Sequence, residues 1–189
     1  MATLKVAKPL AAFLDLIAAS EGTSSHPLTR ADGYDVIVSG VDGHHIFADF
    51  ATHPFALGRA PILVRAARPA EYEPCNGTRT AAHREVKPAV PALHSTASGR
   101  YQLILPTWQE ISTLRHLGTF SPQNQDAAAL KILDECHATE AILALDIPTA
   151  IGLACDVWAC FLGNLYHQGG RQVSWLLAQW QTLLGAQSV

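Results

Sequence analysis

In the stretch "AAFLDLIAASEGTSS", residues 11–25, an acid stands where an apolar side chain belongs. Leu10, Phe13, Leu14 and Ile17 keep the i, i+3, i+4, i+7 spacing of a helix face packed on a core, and Glu21 continues that face four residues after Ile17. Gly22 follows as the left-handed residue that commonly closes a helix. A carboxyl there meets two unfavourable fields: partial burial disfavours the charged form, and the last turn carries the negative end of the helix dipole. Both push its pKa upward, as a general acid working near neutral pH requires. The same pattern fits a half-exposed glutamate at the edge of a core, and periodicity alone leaves both readings open.

Other chemistries find less support. Nine histidines invite a metal hypothesis, yet His44, His45, His83, His94, His137 and His167 match neither structural-finger spacing nor a His-Glu-x-x-His helix, so no metal is expected. Cys75, Cys136, Cys155 and Cys160 have no framework spacing and read as reduced thiols. Thirteen basic against sixteen acidic residues give a net charge of -3, without the basic footprint of a nucleic-acid binder. Lys5 and Lys8 before an apolar run imitate a secretory leader, but Pro9 and Asp15 interrupt it, and no segment approaches the roughly 18 apolar residues of a membrane span. The expectation is a cytosolic chain with no stable membrane association.

The elements that must hold Glu21 are legible in outline. A chain of 189 residues with 49% hydrophobic content suffices for one domain with a real core. After the first helix, "YDVIV" and "HIFADF" flank "SGVDGH" as a small β-hairpin. Residues 58–93 hold five of the eleven prolines and six bases against three acids, with no sustained period; they predict a Pro/Arg-rich loop insert without an ordered core. From residue 100 the period is helical: "YQLILPTWQEISTLRHLG" closed by Gly118, a helix capped by Ser121-Pro122, and two more starting at Thr139 and Asp146. The last of these is predicted to run through "TAIGLACDVWACFL", with Trp158 on its core face. In "VSWLLAQWQTLL", Val173, Leu176, Leu177, Trp180 and Leu184 share one side. The fold class is α+β, mainly helical with a small antiparallel sheet and a cleft between the two lobes.

Placed in order, "AFLDLIAASEGT", "GYDVIVSG", "IFADFATHP", "STASGRYQL", "FSPQNQDAAAL" and "DVWACFLGNLYHQ" resemble the bacteriophage lambda lysozyme family, phage endolysins of lysozyme-like fold that are lytic transglycosylases. The strings span nearly the whole chain except residues 58–93. The resemblance implies a single lysozyme-like catalytic domain over 1–189. It puts the family's catalytic acid on Glu21, the residue that the helical face had already selected. It also implies substrate contacts at Asp35, at Tyr101 and Gln102 on a cleft-facing helix start, and at Tyr166 and Gln168 in a lip over the substrate. Each has a plainer alternative: Asp35 as a turn acid bonding its own backbone, Gln102 as a helix-start cap, Tyr101 and Tyr166 as packed aromatics.

The implied activity is cleavage of the MurNAc-GlcNAc β-1,4 bond of peptidoglycan with formation of 1,6-anhydro-MurNAc, Glu21 serving as acid and then as base. Peptidoglycan glycan strands are the implied partner, with no cofactor, a monomeric enzyme, and accumulation in the host bacterial cytoplasm before the wall is reached through a membrane lesion. Two alternatives stand beside it: an inverting muramidase with a water held by Asp35, Asp32 or Asp49, and a non-catalytic cell-wall-binding or virion protein on the same scaffold. The chain departs from the family in two places. Phe161-Leu162-Gly163 replaces a Leu-Pro-Gly in one lip, and residues 58–93 replace a short segment in the other.

Overall fold

The computed structural model describes residues 1–72, 85–161 and 171–187. Helix α1 (Lys8–Glu21) carries Pro9 in its first turn and ends at Gly22, whose φ of 73° lets its N–H reach the carbonyls of Ala18 and Ala19. Residues 11–18 are all buried, so α1 is the axis of the helical lobe and not a surface helix with a single apolar stripe. Packed around it are α3 (Pro122–Glu135), α4 (Ala138–Leu143) and α6 (Val173–Ala186). Phe13, Leu14, Ile17, Ile132, Leu133, Ile142, Trp158, Phe161 and Leu176 belong to one continuous core.

The sheet stands at the far end of α1. Strands β1 (Val36–Gly40) and β2 (Gly43–Ile46) form the anticipated antiparallel hairpin, Val36 opposite Ile46 and Gly40 opposite Gly43. Gly33, at φ 89°, fixes the approach to β1, because a Cβ there would stand 2.8 Å from the Thr23 carbonyl carbon. The loop leaving α1 and the turn entering β1 are thereby pressed together. Residues 97–99 run along the other side of β1, with Val38 N–H donating to Ala97 and Gly99 N–H to Val36.

Three sequence expectations need correction. The described part of residues 58–93 is not structureless: β3 (Ile62–Arg65) pairs with β6 (Leu93–Ser95), and β4 (Glu71–Tyr72) with β5 (Glu85–Lys87), all antiparallel. Pro61, Pro69, Pro88 and Pro91 fall between the strands, where a missing N–H removes no ladder bond. Ile62 joins Ile37 and Phe55 in a small second core, and Val41 N–H donates to Leu63, which ties the arm to the hairpin.

Second, the helix expected from residue 100 is α2 (Leu105–Leu114), with Pro106 in its first turn and Arg115, not Gly118, at its end. Residues 98–103 form instead a tight loop in which Ser98 and Leu103 exchange both backbone hydrogen bonds. Left-handed Gly99 and Gln102 make that loop, and Gln125 stands where a Gly99 Cβ would fall.

Third, α4 follows a left-handed His137 and does not start at Thr139, and α5 (Ile147–Ala154) stops well short of Trp158. Trp158 and Phe161 are buried all the same, so core patterning continues where the helix does not. The caps at Ser121 and Asp146 are as expected, each side chain accepting a backbone N–H in the first turn of its helix. Leu176 and Trp180 turn inward from α6.

Candidate active site

Glu21 is the last residue of α1 and lies on the wall of a cavity of about 230 Å³ between the helical lobe and the hairpin. Thr23 and His26 from the following loop, Val36 and Ser39 from β1, and Gln102 from the 98–103 loop share the wall. Burial raises the Glu21 pKa above its ordinary value, while a hydrogen bond with the Cys160 thiol and the charge of Arg171 oppose that rise. Desolvation is therefore the main cause of the shift. Arg171 is held in place by its backbone N–H on the Cys160 carbonyl at 2.7 Å, its Nε on the Ser20 carbonyl at 3.4 Å and its guanidinium 4.9 Å over the Trp175 ring.

On the opposite wall, His26 Nε2 lies 3.2 Å from His44 Nδ1, which is 2.7 Å from Ser39 Oγ. Partial burial and His44 hold His26 below the ordinary imidazole range. Gln102, at φ 51°, donates from Nε2 to the Gly99 carbonyl at 3.0 Å, which fixes its carboxamide at the cavity edge. It is a loop residue and not a helix cap.

The other expected contacts separate from this group. Asp35 is 3% exposed and does not line the cavity; it accepts from Thr29 Oγ1 at 2.5 Å and from the Arg30 N–H at 2.8 Å. Those bonds match the turn-acid reading. Tyr101 is 1% exposed, and its hydroxyl donates to Asp126 at 2.7 Å, so the packed-aromatic reading applies there too. Its position one residue before Gln102 in a tight loop turns the two side chains to opposite sides. Tyr166 and Gln168 lie outside the described residues. Among the described residues no three His, Cys, Asp or Glu side chains gather to hold a metal ion, and Cys136, Cys155 and Cys160 are free thiols.

Sequence reasoning missed the polar frame beneath the site. Arg100, 2% exposed, pairs with Asp15 of α1 at 2.8 Å and with Asp32 at 3.0 Å. Its N–H donates to Gln125 and its carbonyl accepts from Thr23 Oγ1 at 2.6 Å, which ties the 98–103 loop to α3 and to the loop after Glu21. Asp126 of α3 receives Tyr34, Tyr101, Thr3 and the Leu4 N–H. One signal was available: an aspartate in the middle of an apolar helix needs a buried partner.

A central helix wrapped by others, a small antiparallel sheet at its tip and an acid in the groove between them define a lysozyme-like α+β protein. The endolysin family model matches residues 11–187. The endolysin of Escherichia phage P2 is 37% identical over 98% of both chains, and that of Escherichia phage lambda 33% identical over 90% of this chain and 87% of its own. The solved structure of bacteriophage lambda lysozyme complexed with a chitohexasaccharide superposes with a TM-score of 0.70 at 30% identity, covering 96% of this chain and 97% of the other. A second structure of lysozyme from bacteriophage lambda gives 0.62 at 28%, covering 97% and 94%. The chain belongs to the endolysin family and is a phage lysozyme-like enzyme of peptidoglycan.

Proposed function

We propose that this endolysin is a lytic transglycosylase that cleaves the MurNAc-GlcNAc β-1,4 bond of peptidoglycan, with Glu21 as its acid and then its base. The observation that carries the reading is that, among the described residues, Glu21 is the one carboxylate on the cavity wall. A glycosidase that uses water or a covalent intermediate needs a second carboxylate beside the scissile bond. Asp35 is engaged by its own loop, Asp32 pairs with Arg100 and with the Met1 amino group, and Asp49 accepts the Ala51 N–H. Transglycosylation needs no second acid. The Glu21 proton passes to the glycosidic oxygen as the C1–O bond breaks; the resulting carboxylate then takes the proton of the muramic acid C6 hydroxyl while O6 closes on C1.

The chitohexasaccharide held by the lambda lysozyme is a β-1,4-linked N-acetylglucosamine chain, which supports a glycan strand as ligand of the same groove. Gln102 is the described residue suited to bind it, because a carboxamide both donates to and accepts from N-acetyl and hydroxyl groups. Tyr166 and Gln168 complete the proposed contacts from the lip. No helix among the described residues is long and apolar enough to cross a membrane, and we place the enzyme in the host cytoplasm until the membrane opens. Digestion of purified sacculi followed by mass spectrometry tests the reading: 1,6-anhydro-muramic ends are expected, and free reducing ends would replace it with the muramidase. Lysis by E21Q at the parent's rate would exclude both.

A further inference from the structure

We propose that Cys160 and Arg171 are a positioning pair for the Glu21 carboxyl: the thiol fixes its orientation and the anchored guanidinium supports the carboxylate that proton donation leaves behind. The inference rests on Glu21 being the acid. It goes beyond that reading by assigning the groups that let one carboxyl serve twice.

The physical need arises from burial. A desolvated glutamic acid is protonated at the start of the cycle, but the same desolvation opposes the ion that must form when the proton leaves. An acid that is only buried would donate reluctantly, since its best pKa lies near the working pH. Something has to favour the ion without taking over the proton. A thiol and a guanidinium both meet that condition here. The Cys160 thiol, hydrogen-bonded to Glu21, is itself pushed well up by burial and by the neighbouring carboxylate, so it stays an S–H that donates to a carboxylate oxygen. Arg171 is a permanent cation that cannot exchange its proton with the acid.

The geometry makes the pair a unit. The Arg171 N–H donates to the Cys160 carbonyl at 2.7 Å, so the residues that carry the thiol and the guanidinium are joined by one backbone clasp. The Nε bond to the Ser20 carbonyl docks that clasp on the last turn of α1, where unpaired carbonyls and the negative end of the helix dipole favour a cation. Stacking on Trp175 restricts the remaining freedom of the guanidinium. Other charges do not substitute. His26 faces Glu21 across the cavity as a weakly basic ring beside His44, β1 and α6 contain no ionisable side chain, Asp15 of α1 is already paired with Arg100, and Asp126 of α3 is filled by its donors. Lys131 of α3 pairs with Asp134 and Glu135 on its own helix, and Glu140 of α4 does not line the cavity.

The test is the pH dependence of kcat/KM on purified sacculi for the parent, C160A, C160S, R171Q and R171K. The alkaline limb reports the acid's pKa. Removing either support should move that limb to higher pH by up to about one pH unit, with several-fold lower kcat. C160S, which keeps a hydrogen-bond donor, and R171K, which keeps a charge, should bring the limb back toward the parent. Limbs that superimpose on the parent's in C160A and R171Q, whatever the loss of rate, would overturn the pairing and reduce both residues to structural roles. Should R171Q fail to fold, titration of the Glu21 carboxyl carbon by NMR in C160A and C160S decides on the same criterion. E21Q is run in parallel: an active E21Q defeats the underlying reading, whereas an inactive E21Q with unmoved limbs defeats only this inference.

Discussion

Beneath the middle of α1, Asp15 meets a guanidinium at 2.8 Å and Asp126 meets five side-chain and backbone donor groups; at the tip of the same helix Glu21 meets, among the described residues, a thiol and the charge of Arg171. Asp15 and Asp126 are buried, and Glu21 is half-buried on the cavity wall. What separates them is the number and strength of donors supplied, and with it their use. A carboxylate saturated by charge-assisted bonds is a fixed point of the scaffold, while one with fewer donors is less firmly held as the ion. The two regions are joined through Arg100, whose side chain holds the buried pair and whose carbonyl holds Thr23, two residues after the acid.

Substitutions on the two sides should separate activity from stability. The largest effect belongs to E21Q, for which turnover of sacculi should fall by about 10²–10⁴-fold, the range of general acid catalysis, with the fold intact by circular dichroism. R100A should do the opposite: it strands Asp15 in the core, and the urea midpoint should report a loss of about 3–5 kcal/mol. Y101F removes one of the donors to Asp126 and should cost about 1 kcal/mol in the same measurement, with kcat unchanged; a large change in KM would restore Tyr101 as a substrate contact.

The comparison also predicts a pH signature. Glu21 has its folded pKa raised above the ordinary 4.5. From pH 4.5 up to the raised value the folded chain binds more protons than the unfolded chain, so this residue's contribution to stability falls as pH rises through that window. E21Q cannot ionise. Thermal melts should therefore find it matched to the parent below pH 4.5 and more stable than the parent above the window. Smallest of all, Q102A should raise KM for sacculi a few-fold while leaving the melting curve in place, since its one described side-chain bond lies within its own loop.

The place of Glu21 at the end of its helix was legible because helical periodicity and a closing glycine are local signals, and the helix caps at Ser121 and Asp146 were readable for the same reason. Position in the fold was less so. Asp35 and Tyr101 belong to segments that converge on the cleft, yet which way each side chain turns depends on Thr29, Arg30 and Asp126, the last 25 residues away from Tyr101 in sequence. Residues 100–103 were read as the start of a helix because their apolar spacing is helical, and only Gln125 filling the space over Gly99 reveals why the backbone turns left-handed there. His26 carried no pattern at all. It joins the cavity through a ring contact with His44 on a hairpin 18 residues further along.

The pairing of β3 with β6 also bears on chain length. With Ile62 set opposite Ser95, the chain leaves the body and returns to it at neighbouring points, so material added or deleted at the outer end changes the closure entropy only slowly with length. Such a stem lets the length of chain beyond it vary while the pairing at its base is kept.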